Sequence, residues 1–314
     1  VTQLSFDDVK AAAERINGVT RPVPVIAVDP GAVGSAEVFL ALDFMQHSGS
    51  FKDRGAANFA AAHLAAKTMP EAGVVIASGG NAGLACAWAA KRHGVRATVF
   101  VPLTAPEVKV ARLRAFGAEV RQVGSEYAEA LEAAHRFSVE SGALASHAYD
   151  DPYVVAGAGT LLPELLTAVP GLDTVIVAVG GGGLFAGTAI AARHHGVRLV
   201  AVEPERCRAL NAAIEAGDVV DVEIDSVAAD SLGARRVSRT ALYWAREAQA
   251  VSLLVSEEAI RAARQTIWEQ RRLVIEHAAA TALAALMSGV YRPVPGERVA
   301  VVLCGANTDL SSLR

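Results

Sequence analysis

The chain has 314 residues, 52% of them hydrophobic and 20% charged, which supplies ample core and excludes a disordered segment. At roughly one domain per 150 residues, the length suits two lobes or one large α/β unit. The 29 Lys and Arg against 33 Asp and Glu give a net charge of −4, so no basic surplus exists to neutralise a phosphate backbone and no nucleic-acid partner is expected.

Three cysteines, Cys86, Cys207 and Cys304, are odd in number and far apart, which is no disulfide framework and fits a reducing cytoplasm. Apolar stretches are broken by Gly, Arg or Glu well short of the ~20 residues that a membrane span needs. Ser5 followed three residues later by Asp8 reads as a helix start and not as a secretory signal. A soluble cytoplasmic protein with no membrane partner is expected.

In chain order, strands rich in Val, Ile and Leu alternate with Ala-rich helices. Strand Val38–Asp43 leads to helix Lys52–Ala66, strand Val74–Ser78 to helix Ala82–His93, and strand Ala97–Pro102 to helix Pro106–Phe116. Strand Glu119–Val123 precedes helix Ser125–Ser141, and strand Ala143–His147 precedes helix Gly157–Thr167. Strand Thr174–Gly180 is followed by helix Leu184–His195 and strand Arg198–Glu203. Helices Ser256–Arg272 and Ala278–Ser288 and strand Arg298–Leu303 complete the pattern. Several strands are apolar at consecutive positions, as strands buried on both faces of a parallel sheet are. Strand–helix repetition at this spacing predicts an α/β protein. Boundaries near residues 72 and 148 set a small domain, 73–148, inside a large one made of 1–72 and 149–314.

Ligands of open parallel sheets bind beyond the carboxyl ends of the strands, so the loops there are the candidates. In Ser48–Ala56, Lys52 opens a helix, where the partial positive charge gives an amine reason to lose its proton and act as a nucleophile. An exposed lysine is the plain alternative. In Ser78-Gly79-Gly80-Asn81-Ala82-Gly83, adjacent glycines let backbone amides approach a carboxylate, though a capped strand–helix turn explains them equally well. Gly180-Gly181-Gly182-Gly183-Leu184 follows the strongest strand. Each glycine costs roughly 0.5–1 kcal/mol relative to Ala, and the amides of such a run suit a phosphate. It matches neither a Walker A loop nor, except trivially, a dinucleotide fingerprint. Cys304-Gly305-Ala306-Asn307 follows the last strand; a small buried thiol is the plain reading, and Gly305 is expected to open space for a flat ring.

Together the four loops call for one ligand with an amine-reactive carbonyl, a phosphate and a ring. The ordered set resembles the serine/threonine dehydratase family of fold type II pyridoxal 5′-phosphate (PLP) enzymes, over nearly the whole chain. The resemblance implies a two-lobed, tryptophan synthase β-like fold, each lobe an open, mostly parallel twisted sheet flanked by helices. It implies PLP as cofactor, with Lys52 as the Schiff-base lysine and general base, and Phe51 beside the ring. Asn81 bonds the phenolic oxygen. Gly180, Gly181, Gly182, Gly183 and Leu184 cradle the phosphate, Cys304 faces the pyridine nitrogen, and Glu276 stands near the cofactor. Ser78, Gly79, Gly80, Asn81 and Ala82 hold the substrate carboxylate. The implied reaction is β-elimination from L-threonine or L-serine to a 2-oxo acid and ammonia, by a homodimer acting on a small amino acid.

Several positions depart from the family. Racemases carry a serine where this chain has Gly79, so elimination with little racemisation is expected. Ser231 stands where relatives often have glycine beside the ring, and narrows or polarises the pocket. Glu203, with a backbone oxygen of Cys207, resembles the family's cation site; Ala209 replaces a second carboxylate, which favours a monovalent ion such as potassium, against a plain strand-end glutamate. The chain ends seven residues after Asn307, so no C-terminal regulatory domain and no end-product feedback are expected. Competing readings are β- or γ-replacement of the threonine synthase or cysteine synthase kind, a hydroxyaspartate-type dehydratase, a catalytically lost binding protein, and a nicotinamide dehydrogenase. The last leaves Lys52 without a role.

Overall fold

The computed structural model describes residues 4–313; the outermost residues of the expected large domain, 1–3 and 314, lie outside the described residues. Among the described residues there are ten strands: β1 Val25–Ala27, β2 Glu37–Ala41, β3 Val74–Ala77, β4 Ala97–Val101, β5 Glu119–Gln122, β6 Leu144–Ala145, β7 Thr174–Ala178, β8 Arg198–Pro204, β9 Val251–Val255 and β10 Arg298–Val302. They form two sheets. One has the order β1-β2-β10-β7-β8-β9 and the other β5-β4-β3-β6. Every neighbouring pair is parallel except β1 with β2.

The consecutive apolar runs are the central strands. All residues of β3, β4 and β7 are buried, as expected where helices cover both faces of a parallel sheet. The second sheet is drawn wholly from residues 74–145, and its own core forms around Val74, Ile76, Val99 and Leu113. The protein is thus α/β with two lobes of helix-flanked sheet, as the sequence pattern predicts. Among the described residues, no helix is long and apolar enough to cross a membrane.

Local chemistry sets the helix ends. Ser5 and Asp8 form the expected capping box, with Ser5 N donating to Asp8 Oδ2 at 2.8 Å. The expected helix Gly157–Thr167 is instead two, Pro152–Gly159 and Leu161–Ala168. The first starts early because Asp151 accepts from the Tyr153 and Val154 amides, with Pro152 at the first turn. The expected strand Ala143–His147 shrinks to two residues, since His147 Nδ1 accepts from the Tyr149 and Asp150 amides and turns the chain. Strands β1 and β9, at the sheet edges and only partly buried, lacked a strong apolar run.

Candidate active site

The four loops converge. Phe51, Lys52, Asn81, the four glycines 180–183 and Cys304 line one tight cavity of about 40 Å³, together with Ser231 and Glu276.

Lys52 is held by its neighbours. Phe51 N donates to Cys304 O at 2.9 Å, and Ser50 bridges to Gly305, which joins the lysine loop to the end of β10. Asp53, fully buried, accepts from Ser48 N at 2.7 Å and from the Ser48 hydroxyl; burial pushes its carboxyl up to about 7. The Lys52 amine donates to Ala148 O at 3.1 Å and lies 4.7 Å from the centre of the Phe51 ring. Its proton affinity is lowered, chiefly by burial and against the pull of Cys304 and Glu276.

Asn81 is the first residue of helix Asn81–Arg92, and both ends of its amide are engaged. Its Nδ2 lies 2.8 and 3.0 Å from the two Glu276 oxygens, and its Oδ1 accepts from Asn307 Nδ2 at 2.7 Å. Ser78 Oγ accepts from Gly80 N at 3.3 Å. A Cβ on Gly83 would strike Ser78 O, which explains that glycine by packing alone. A Cβ on Gly80 would meet nothing within 4 Å, so there is open space beside this residue of the loop.

The glycine run is more crowded than its sequence suggests. Gly182 is left-handed, with φ +96°, and faces Ala241; a Cβ on Gly180 would lie 3.0 Å from Leu232 Cα; Gly181 and Gly183 face Tyr149. Helix Gly183–His195 starts here, so its first amides lack acceptors within the helix and form the wall that suits a phosphate. The half-buried Tyr149 ring lies across that wall, with its hydroxyl 3.4 Å from Arg236 O.

Cys304 is buried and its thiol is pushed far above the ordinary range, chiefly by burial. Gly305 differs from expectation: its missing side chain makes room for the Glu276 carboxylate, not for a ring, and its carbonyl accepts from Glu276 N at 3.0 Å. Burial pushes Glu276 up to about 7, opposed by Asn81, Ser231 and Lys52. A desolvated amine of lowered proton affinity, a run of helix-start amides and a neutral thiol on one cavity are a donor set that fits PLP.

Glu203 accepts from the Leu210 and Asn211 amides at 2.8 and 2.7 Å, capping helix Ala209–Ala216, and burial pushes it up to about 8. The Cys207 thiol donates to Leu232 O at 3.2 Å. Among the described residues, no group of three or more His, Cys, Asp or Glu could hold a metal. Sequence reasoning gave no role to Tyr149 or to Asn307, although Asn307 closes the quoted loop Cys304–Asn307.

The family described as pyridoxal-phosphate dependent enzyme matches residues 16–305. The chain is similar to the L-threonine ammonia-lyase of Thermotoga maritima, 32% identical over 99% of this chain and 77% of that protein. It is similar to the phenylserine dehydratase of Ralstonia pickettii, 35% identical over 95% of this chain and 91% of the relative. The structure of maize serine racemase superposes with a TM-score of 0.92 and 28% identity, covering 98% of this chain and 95% of the other. The chain therefore belongs to the pyridoxal-phosphate dependent enzyme family.

Proposed function

We propose that this chain eliminates water from L-threonine or L-serine, the released enamine then taking up water to give a 2-oxo acid and ammonia, with PLP bound at Lys52. The convergence of Lys52, the four glycines, Cys304 and Glu276 on one cavity carries this reading, and the threonine ammonia-lyase relative supports it. In the proposed arrangement, residues 1–72 and 149–314 hold the cofactor and residues 73–148 carry the substrate loop.

When bound, PLP supplies an electron sink joined to the substrate nitrogen. Lys52, whose proton affinity is lowered by desolvation, is the amine that would hold the cofactor aldehyde and the base placed to take the Cα proton. Phe51 backs the Lys52 amine on one side. Ser78, Gly79, Gly80, Asn81 and Ala82 hold the substrate carboxylate at the start of a helix. Gly180–Gly183 and Leu184 would hold the phosphate. Cys304, a neutral thiol, would stand beside the cofactor ring and offers no carboxylate to hold a proton on its nitrogen. Ser231 bonds Glu276 and narrows the pocket beside it.

A panel of β-hydroxy amino acids scored for 2-oxo acid and ammonia tests this. Release from threonine or serine without a co-substrate supports elimination; turnover only with a co-substrate means replacement. A second reading has a specific observation behind it. A chamber of about 660 Å³, lined in part by Val108, Val227, Ala228 and Ser231, adjoins the site and has room for a larger β-substituent such as phenyl. Phenylserine therefore belongs in the panel.

We extend the proposal to a cytoplasmic homodimer, tested by sedimentation, and to a potassium ion beside Glu203 and the Cys207 carbonyl. Turnover indifferent to potassium removal rejects the ion and leaves Glu203 as a helix cap.

A further inference from the structure

We propose that Asn307 is a positioning residue that fixes which way the Asn81 amide faces, at the centre of a one-directional line of hydrogen bonds from Arg112 to Glu276. The inference rests on the site reading proposed above.

A side-chain amide fits a pocket either way round unless its neighbours are restricted to one role. Here the Arg112 end is restricted at every pH, and the Glu276 end whenever its carboxyl is ionised. Arg112 can only donate, and its Nη2 donates to Asn307 Oδ1. At the far end the Glu276 carboxylate accepts from Asn81 Nδ2 at 2.8 and 3.0 Å. Between them, Asn307 Nδ2 donates to Asn81 Oδ1 at 2.7 Å and to Ser48 O at 2.8 Å. A backbone carbonyl cannot donate, so Ser48 holds the Asn307 orientation independently of Arg112. Reversing Asn81 would set two NH₂ groups against each other and an amide oxygen against a carboxylate.

Five segments meet in this line: the lysine loop, the substrate loop, helix Glu107–Ala115, the loop after β10 and the start of helix His277–Met287 at Glu276. Space is cleared for it as well. Gly49 has φ +88°, and a Cβ there would come within 2.7 Å of Asn307 Oδ1. The consequence is that the Asn81 NH₂ group is turned to the Glu276 side of the cavity, where Lys52, Cys304 and Asp230 are the other titratable groups facing Glu276.

The test is Asn307→Asp in the PLP-loaded enzyme, a change of almost no volume. The carboxylate cannot donate to Asn81 Oδ1 or Ser48 O, and it draws the Asn81 NH₂ away from Glu276. The expected results are a drop of about tenfold in kcat/KM and an upward move of about one pH unit in the acidic limb of the pH–rate profile. The visible cofactor band shifts its pH dependence in parallel. Arg112→Gln moves the same quantities less. A profile and a band that match wild type, or a loss confined to Tm and yield, overturn the proposal. Should the Asp variant not accumulate, Asn307→Ala is read by the same criteria, because it too removes both donations. A wild-type enzyme without a Lys52-dependent band would instead sink the site reading itself.

Discussion

Arg54 Nη2 lies 2.9 Å from Asp43 Oδ1, and neither side chain has any exposed surface. The same guanidinium donates to Glu164 Oε1 at 2.6 Å and to Thr160 Oγ1 at 3.1 Å. Two residues after Lys52, it anchors the start of helix Lys52–Ala65 to helix Leu161–Ala168 and to the segment after β2. Removing one partner of a buried ion pair leaves the other charge uncompensated, which costs about 3–5 kcal/mol. Arg54→Met should therefore lose about that much unfolding free energy in urea titrations; a loss under about 1 kcal/mol would assign the burden to other contacts.

Glu203 sets a pH dependence of stability. Its carboxyl is raised in the folded chain from 4.5 to about 8, so the folded state binds the proton more tightly than the unfolded one. That contribution is fully present below about pH 4.5 and is lost as pH rises through about 8. Glu203→Gln keeps an acceptor for the helix amides and removes the titration. Its Tm should fall less than that of wild type between these limits, and two parallel Tm curves would reject the assignment.

Gly79 bears on the stereochemical outcome. A Cβ there would make only an ordinary contact, 3.4 Å from Val101 Cγ1, so serine fits without strain. The wild-type chain has no hydroxyl at this position, and elimination with little exchange between L- and D-serine is expected. Gly79→Ser should raise the rate of that exchange several-fold, by about 1 kcal/mol of barrier. Chiral chromatography during turnover decides, and rapid exchange by wild type would show that another group supplies the proton.

Most of the scaffold was legible because β3, β4 and β7 are buried on both faces and so carry unbroken apolar runs. Edge strands β1 and β9 were not, since partial exposure relaxes that pattern. Within the site, Lys52, Asn81, the glycines and Cys304 announced themselves by residue type next to strand ends. Asn307 and Tyr149 did not, because their importance lies in which distant groups they touch: Asn81, 226 positions away in the chain, and the wall formed by Gly181 and Gly183. Gly305 shows the limit from the other side. Its glycine was visible, but whether the vacated space receives a ring or the Glu276 carboxylate is a matter of folding.

The most direct measurement is the absorbance spectrum and turnover of Lys52→Ala beside wild type, each prepared with excess PLP. The account predicts a visible band and 2-oxo acid formation from threonine or serine in wild type, and neither in the variant. A variant that keeps the band and still releases ammonia would contradict the assignment of Lys52, and with it the chemistry built on its amine.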